Sequence, residues 1–219
     1  MSLLDEKPAR SIETSRQYLT GGVSLDGGTM ASFESSLERD WLIVLDFDPA
    51  VRSIKEQPFT IDYAINGKKR RYTPDVMAQH AQEGCVHTIV YEIKPREILR
   101  SKWNFYRPRF KAAVHFCKER GWRFKIVTET EIRTAYLANA KFLRRYRNLP
   151  EQKLVCEQLL YTFKALGATT PQTLLAAAYW SKEDQMKAIP MLWKMVTDGR
   201  VYAFLHEPLT MNSEIWLGA

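Results

Sequence analysis

Nowhere does the chain contain the roughly eighteen consecutive apolar residues of a membrane span. Its N-terminus, MSLLDEKPARS, has neither the basic start nor the apolar stretch of a secretion signal. The cytoplasm is the expected location. Cysteine is scarce: Cys85, Cys117 and Cys156 are odd in number and never form a CxxC pair, so they are expected as reduced core or strand residues rather than a disulfide framework. The four histidines, His80, His87, His115 and His206, are scattered without HExxH or zinc-finger spacing, which argues against structural zinc. Internal repeats and low-complexity tracts are missing as well.

What is present is a chain of 219 residues, 45% hydrophobic, with material for one large domain or two small ones. Net charge is +7, unevenly spread: residues 151–219 hold six Lys/Arg against seven Asp/Glu, a net −1, so residues 1–150 carry +8. A basic first part points to a polyanionic partner such as DNA, whereas a slightly acidic second part points to protein contact.

The most informative pattern lies in the basic part. Sixteen residues separate Pro74-Asp75 from Glu92-Ile93-Lys94, and the run Cys85–Lys94 is rich in β-branched and aromatic residues up to Pro95. At a side-chain period of two, Glu92 and Lys94 share one strand face and Tyr91 and Ile93 the other. Hydrolysis of a phosphodiester can demand more than about 20 kcal/mol of barrier lowering. A hard divalent cation held by carboxylates supplies much of it, and Asp75 and Glu92 fit that task. An ammonium beside the attacking water can orient it, a task that fits Lys94.

Elements around this pattern give an order α-β-β-β-α-β-α. Residues 1–30 show little apolar periodicity and a Gly-rich patch, Gly21-Gly22 and Gly27-Gly28, and are expected to form an extended arm. From Ser32 a helical stripe runs through Phe33, Leu37, Trp41, Val44 and Leu45, flanked by Glu34 and Glu38. Strands are expected over Pro58–Ile65 and Tyr72–Gln79, bracketing the hairpin dipeptide Asn66-Gly67 with Lys68–Arg71 beside it. A basic, aromatic connector through Lys102, Trp103, Tyr106 and Arg107 leads to a helix from Pro108 with Phe110, Ala113, Val114 and Cys117 inside. A strand over Phe124–Thr128 and a helix over Glu131–Arg145 follow. The expected fold is α/β, a mixed sheet with a helix on each face. Leu149-Pro150 marks a boundary. Beyond it, helices near 151–166, 171–179 and 183–198 and strands Val201–Leu205 and Glu214–Leu217 outline a winged helix.

These residues resemble the restriction-endonuclease-like PD-(D/E)xK fold, and more closely the TnsA endonuclease subunits of heteromeric transposases. The resemblance covers about residues 30–147 and rests on Ser36-Leu37-Glu38 with Leu45-Asp46-Phe47, Ile54–Phe59, Thr73-Pro74-Asp75, Glu92-Ile93-Lys94-Pro95 and Ile126–Ile132. It implies a nuclease domain over 31–149 and a winged-helix-like domain over 150–219 that binds partners. It implies Glu38, Asp75, Glu92 and Lys94 as catalytic residues, and Glu38, Asp75, Glu92 and the carbonyl of Ile93 as ligands of one or two Mg²⁺, for which Mn²⁺ would substitute. Better-known TnsA members carry glutamine where this chain has Glu92.

The resemblance further implies cutting of the 5′ strands at the ends of a mobile element. A DDE-type partner, TnsB, would process the 3′ ends, and the ATP-dependent regulator TnsC would engage the C-terminal portion. A stand-alone restriction or repair nuclease and a non-catalytic DNA-binding scaffold of the same fold are the alternatives. Gln57 is open between a site residue and a sheet-edge residue, Tyr91 and Trp103 read as packing, and Lys141, Arg144, Arg145 and Arg147 as either phosphate contacts or a solvated helix end.

Overall fold

A computed structural model of the chain describes residues 21–25 and 28–218. It divides into two compact units, Met1–Arg133 and Thr134–Ala219. Most of the expected arm, residues 1–20 and the Asp26-Gly27 pair, lies outside the described residues. The remainder is no extended arm. Strands β1 (Gly21–Ser24) and β2 (Met30–Phe33) form an antiparallel hairpin whose Val23, Ala31 and Phe33 are buried.

Helix α1 (Ser36–Phe47) therefore begins later than the stripe from Ser32 implies. Its start is fixed by Ser35, whose side chain accepts from the backbone N–H of Glu38, the capping arrangement that satisfies an otherwise orphaned donor. Strand β3 (Val51–Glu56) was not evident in the sequence, where Val51 and Ile54 are spaced three apart and lack the period of two.

The hairpin expected at Asn66-Gly67 is present. Strands β4 (Ile61–Ile65) and β5 (Lys68–Tyr72) pair across a turn in which Asn66 and Gly67 both adopt positive φ (48° and 71°). They form a sheet of their own, however. The strand expected over Tyr72–Gln79 is two strands, because Thr73-Pro74-Asp75 interrupts it before β6 (Val76–Gln82), proline being unable to donate to a ladder. Next comes β7 (Cys85–Ile93), which carries Glu92.

After Pro95 the expected connector is helical. Helix α2 (Arg96–Ser101) leads into α3 (Trp103–Lys118), which takes Pro108 into its interior rather than starting there. Phe110, Ala113 and Cys117 face inward as expected, but Val114 is 51% exposed. Strand β8 (Arg123–Val127) completes a four-stranded sheet in the order β3-β6-β7-β8, antiparallel except for the parallel pair β7-β8. Short α4 (Glu129–Ile132) closes the unit with a capping box between Thr128 and Glu131.

Alternation along β7 sends neighbouring side chains to opposite helices. Val90 packs with Ala113 and Cys117 of α3 and with Phe59, Ile61, Tyr72 and Met77. Tyr91 meets the Trp41 ring of α1 edge-on at 5.1 Å. The mixed sheet with a helix on each face is thus the observed architecture, as the restriction-endonuclease-like fold requires.

The second unit starts earlier than Leu149-Pro150. The helix expected over Glu131–Arg145 is broken at Arg133-Thr134, and its second piece, α5 (Ala135–Leu143), belongs to the second unit. Asn139 explains this membership: its side-chain amide donates to the carbonyls of Leu205 and Glu207 and accepts from the N–H of Leu209. Helices α6 (Lys153–Leu166), α7 (Pro171–Ala178) and α8 (Lys182–Thr197) follow, then strands β9 (Val201–Ala203) and β10 (Ile215–Leu217), which pair antiparallel. Thr169 bridges to Ile215, and Leu159, Phe163, Leu174, Leu192, Met195 and Ile215 fill the core.

Candidate active site

Two tight backbone constraints position Asp75, which sits in the break before β6. Its carbonyl accepts from the N–H of Gln57 at 2.8 Å, and its Oδ2 accepts from the N–H of Ile93 at 2.6 Å. The carboxylate is thereby pinned to the end of β7, although sixteen residues of chain lie between Asp75 and Glu92. Beside it, Lys94 Nζ lies 3.1 Å from Asp75 Oδ2 and 3.3 Å from Glu92 Oε1, and donates to the carbonyl of Ile93 at 3.0 Å. Three of the four groups expected to hold a metal therefore surround one ammonium.

Glu92 is fully buried, and its second oxygen accepts a hydrogen bond from the Tyr72 hydroxyl. Burial, and after it the charge of Asp75, raise the pKa of Glu92; Lys94 and the Tyr72 hydroxyl pull the other way. For Lys94, burial alone would lower the pKa, but Asp75 and Glu92 outweigh it and hold it raised, so the group stays an ammonium. The lysine accordingly supplies positive charge to this cluster.

Glu38 is placed differently from the other three. Its carboxylate turns back over the N-terminus of α1, where Oε2 accepts from the Glu34 N–H at 2.8 Å and Oε1 from the Ser35 hydroxyl at 2.9 Å. It remains within electrostatic range of the site: burial raises its pKa, Asp75 raises it further, and the backbone bond and Lys94 offset part of the rise. Among the described residues, no three His, Cys, Asp or Glu side chains converge as a group able to hold a metal ion. The oxygens gathered around Lys94 come from two carboxylates and one backbone carbonyl.

Tyr72 and Gln57 are the neighbours that sequence reasoning missed or left open. Tyr72 lies twenty residues before Glu92 and in a separate sheet, so no local pattern links them. Gln57 adopts φ 41°, an uncommon conformation for a residue with a Cβ, and its Nε2 donates to Glu34 at 3.4 Å. Its buried Oε1 has no hydrogen-bond partner among the described residues. A strained backbone with an orphaned oxygen beside Asp75 marks Gln57 as part of the site's surroundings. Tyr91 packs as expected, on Trp41, with its hydroxyl 2.9 Å from His80 Nε2. Lys141, Arg144, Arg145 and Arg147 lie on α5 and the turn after it, in the second unit.

Residues 48–129 match the family model described as TnsA-like endonuclease N terminal. Over that stretch the chain is similar to a TnsA-like endonuclease domain. The matched stretch contains Asp75, Glu92, Ile93 and Lys94, so the residues that converge in space are those the family likeness covers. Glu38 precedes the matched stretch. The family's description names an endonuclease. No curated protein matches the chain. No helix among the described residues is long and apolar enough to cross a membrane.

Proposed function

We propose that this chain is the metal-dependent endonuclease subunit of a heteromeric transposase and hydrolyses the 5′ strands at the ends of a mobile element. The observation that carries this reading is the position of Lys94 Nζ, a cation held within 3.3 Å of Asp75, Glu92 and the Ile93 carbonyl. Hard oxygen donors that already gather around one positive charge have the chemistry Mg²⁺ takes, and Mn²⁺ in its place. Asp75, Glu92 and the Ile93 carbonyl would hold the ion, with Glu38 completing the set. When bound, the ion supplies Lewis-acid charge against the negative charge that develops on the phosphate oxygens.

The remaining work falls to the chain itself. Lys94, protonated, orients the attacking water by donating a hydrogen bond, and its charge favours hydroxide character there. The Ile93 and Gln57 N–H groups fix Asp75, while Tyr72 fixes Glu92. Lys68, Lys69, Arg70 and Arg71 stand exposed along β5, the strand that ends in Tyr72, and supply phosphate contacts leading to the site.

In this reading a DDE-type subunit, TnsB, cuts and joins the 3′ ends. The second unit contacts protein, the regulator TnsC being the partner. Three helices followed by a strand pair, with Thr169 bridged to Ile215, support a winged-helix-like arrangement there, and its net −1 supports a protein partner over DNA.

The test is strand-resolved mapping of breaks on an element-end duplex with Mg²⁺ and the DDE partner. Cuts confined to the 5′ strands in wild type and absent in Asp75→Ala are expected. Cutting by the wild-type chain alone would favour the stand-alone nuclease, and 5′ cutting that survives Asp75→Ala would refute the site.

A further inference from the structure

Helix α3 and strand β8 enclose an apolar pocket of about 450 Å³, lined by Trp103, Phe110, Val114, Phe124 and Ile126 and rimmed by Arg107 and Lys111. Trp103, expected as a packing residue, packs its ring 6.0 Å from Phe110 and keeps 45% of its surface exposed. Resting on the nuclease reading above, we propose that this pocket receives an unpaired nucleobase of the DNA strand being cut, next to the scissile phosphate.

Its position argues for this occupant. Ile126 of the pocket floor stands in register with Glu92 on the adjacent parallel strand, so both side chains share one sheet face, with strands about 4.8 Å apart. From the other side, Phe110 meets the Tyr72 ring edge-on at 6.5 Å, and Tyr72 holds Glu92. A strand whose phosphate reaches Glu92 and Lys94 thus passes the mouth of the pocket.

Its chemistry argues the same way. Aromatic rings beside cationic side chains make the platform on which unpaired bases stack while phosphates are held. Residues 96–111 carry six Lys/Arg and a single acid, Glu97, together with Trp103, Phe105, Tyr106 and Phe110. Beside the pocket on the same helix, the Arg109 guanidinium lies over the Phe105 and Tyr106 rings at 4.6 and 4.9 Å.

The experiment measures binding of the full chain, without divalent metal, to a blunt duplex and to the same duplex ending in unpaired adenines, one replaced by 2-aminopurine. Wild type is expected to prefer the frayed duplex by roughly tenfold, the value of one stacked base, and to quench the 2-aminopurine. Trp103→Ala and Val114→Glu should each lose the preference and the quenching while binding blunt duplex as wild type does. Val114 is exposed, so its substitution tests the pocket without disturbing the core. The inference is overturned if wild type shows no preference, or if both variants keep it. Strand mapping of the same proteins with Mg²⁺ and the DDE partner separates the two claims. Loss of wild-type cutting sinks the nuclease reading, whereas wild-type cutting matched by both variants at the same positions sinks only the pocket.

Discussion

In each unit a lysine sits amid acidic groups, Lys94 in the first and Lys194 in the second, and the two clusters differ in how their charges balance. Lys194 Nζ, on a side chain 11% exposed, donates to the Arg147 carbonyl at 3.0 Å and pairs with Asp198 at 3.3 Å; Asp198 also pairs with Arg200, which pairs with Glu151. Two cations thus meet two anions. Lys94, 24% exposed, faces Asp75 and Glu92, with Glu38 in electrostatic range, so one cation meets up to three anions. A balanced cluster closes on itself and braces α8. An unbalanced one keeps excess acidic groups, which the proposed divalent ion would offset, and the buried carboxylate with the raised pKa belongs to it.

That contrast is most sharply tested on the lysines themselves. Lys94→Ala should lower 5′-strand cutting by a factor on the order of a thousand, within the range for a lost proton-handling group. Its urea melt should stay cooperative, and normal cutting would dissolve the distinction. Lys194→Met should do the converse. Losing the Lys194 bond to the Arg147 carbonyl and its pair with Asp198 costs about 1–3 kcal/mol of stability by urea unfolding, and cutting, measured at a temperature where the variant is folded, should persist.

A smaller effect is expected in metal binding. Because Lys94 Nζ occupies the space among the three oxygens, Lys94→Met should bind Mn²⁺ several-fold more tightly in a calorimetric titration, even though cutting is lost. Weaker binding would mean that the ammonium assists the ion.

The smallest effect concerns pH. A carboxyl whose folded-state pKa is raised costs the native state increasing stability as pH rises from the ordinary carboxyl range, near about 4, through the folded value. Glu92→Gln has no such loss. In chelator, its Tm relative to wild type should therefore rise between acid and neutral pH, with the difference disappearing at the acid end. A constant offset across that range would show that Glu92 does not titrate as its burial implies.

Much of the first unit was legible because its signals are local. The Asn66-Gly67 turn announces itself by residue type, and the period of two along β7 correctly sets Glu92 and Lys94 side by side. What escaped depends on distant partners. Strand β3 lacks alternation and gains its place by pairing with β6; Pro108 reads as a helix start but lies within α3; Leu149-Pro150 reads as a boundary, yet Asn139 ties α5 to the second unit. Likewise the Tyr72 bond to Glu92 and the inward turn of Glu38 onto Ser35 belong to the folded arrangement and leave no mark in sequence spacing.

The central claim is that Asp75, Glu92 and the Ile93 carbonyl form a divalent-cation site. Titration of Mn²⁺ into the full chain, compared with Asp75→Asn and with Lys194→Met as the balanced-cluster control, tests it directly. Binding in wild type and Lys194→Met that is lost in Asp75→Asn is the predicted result. Equal Mn²⁺ affinity in wild type and Asp75→Asn would contradict it.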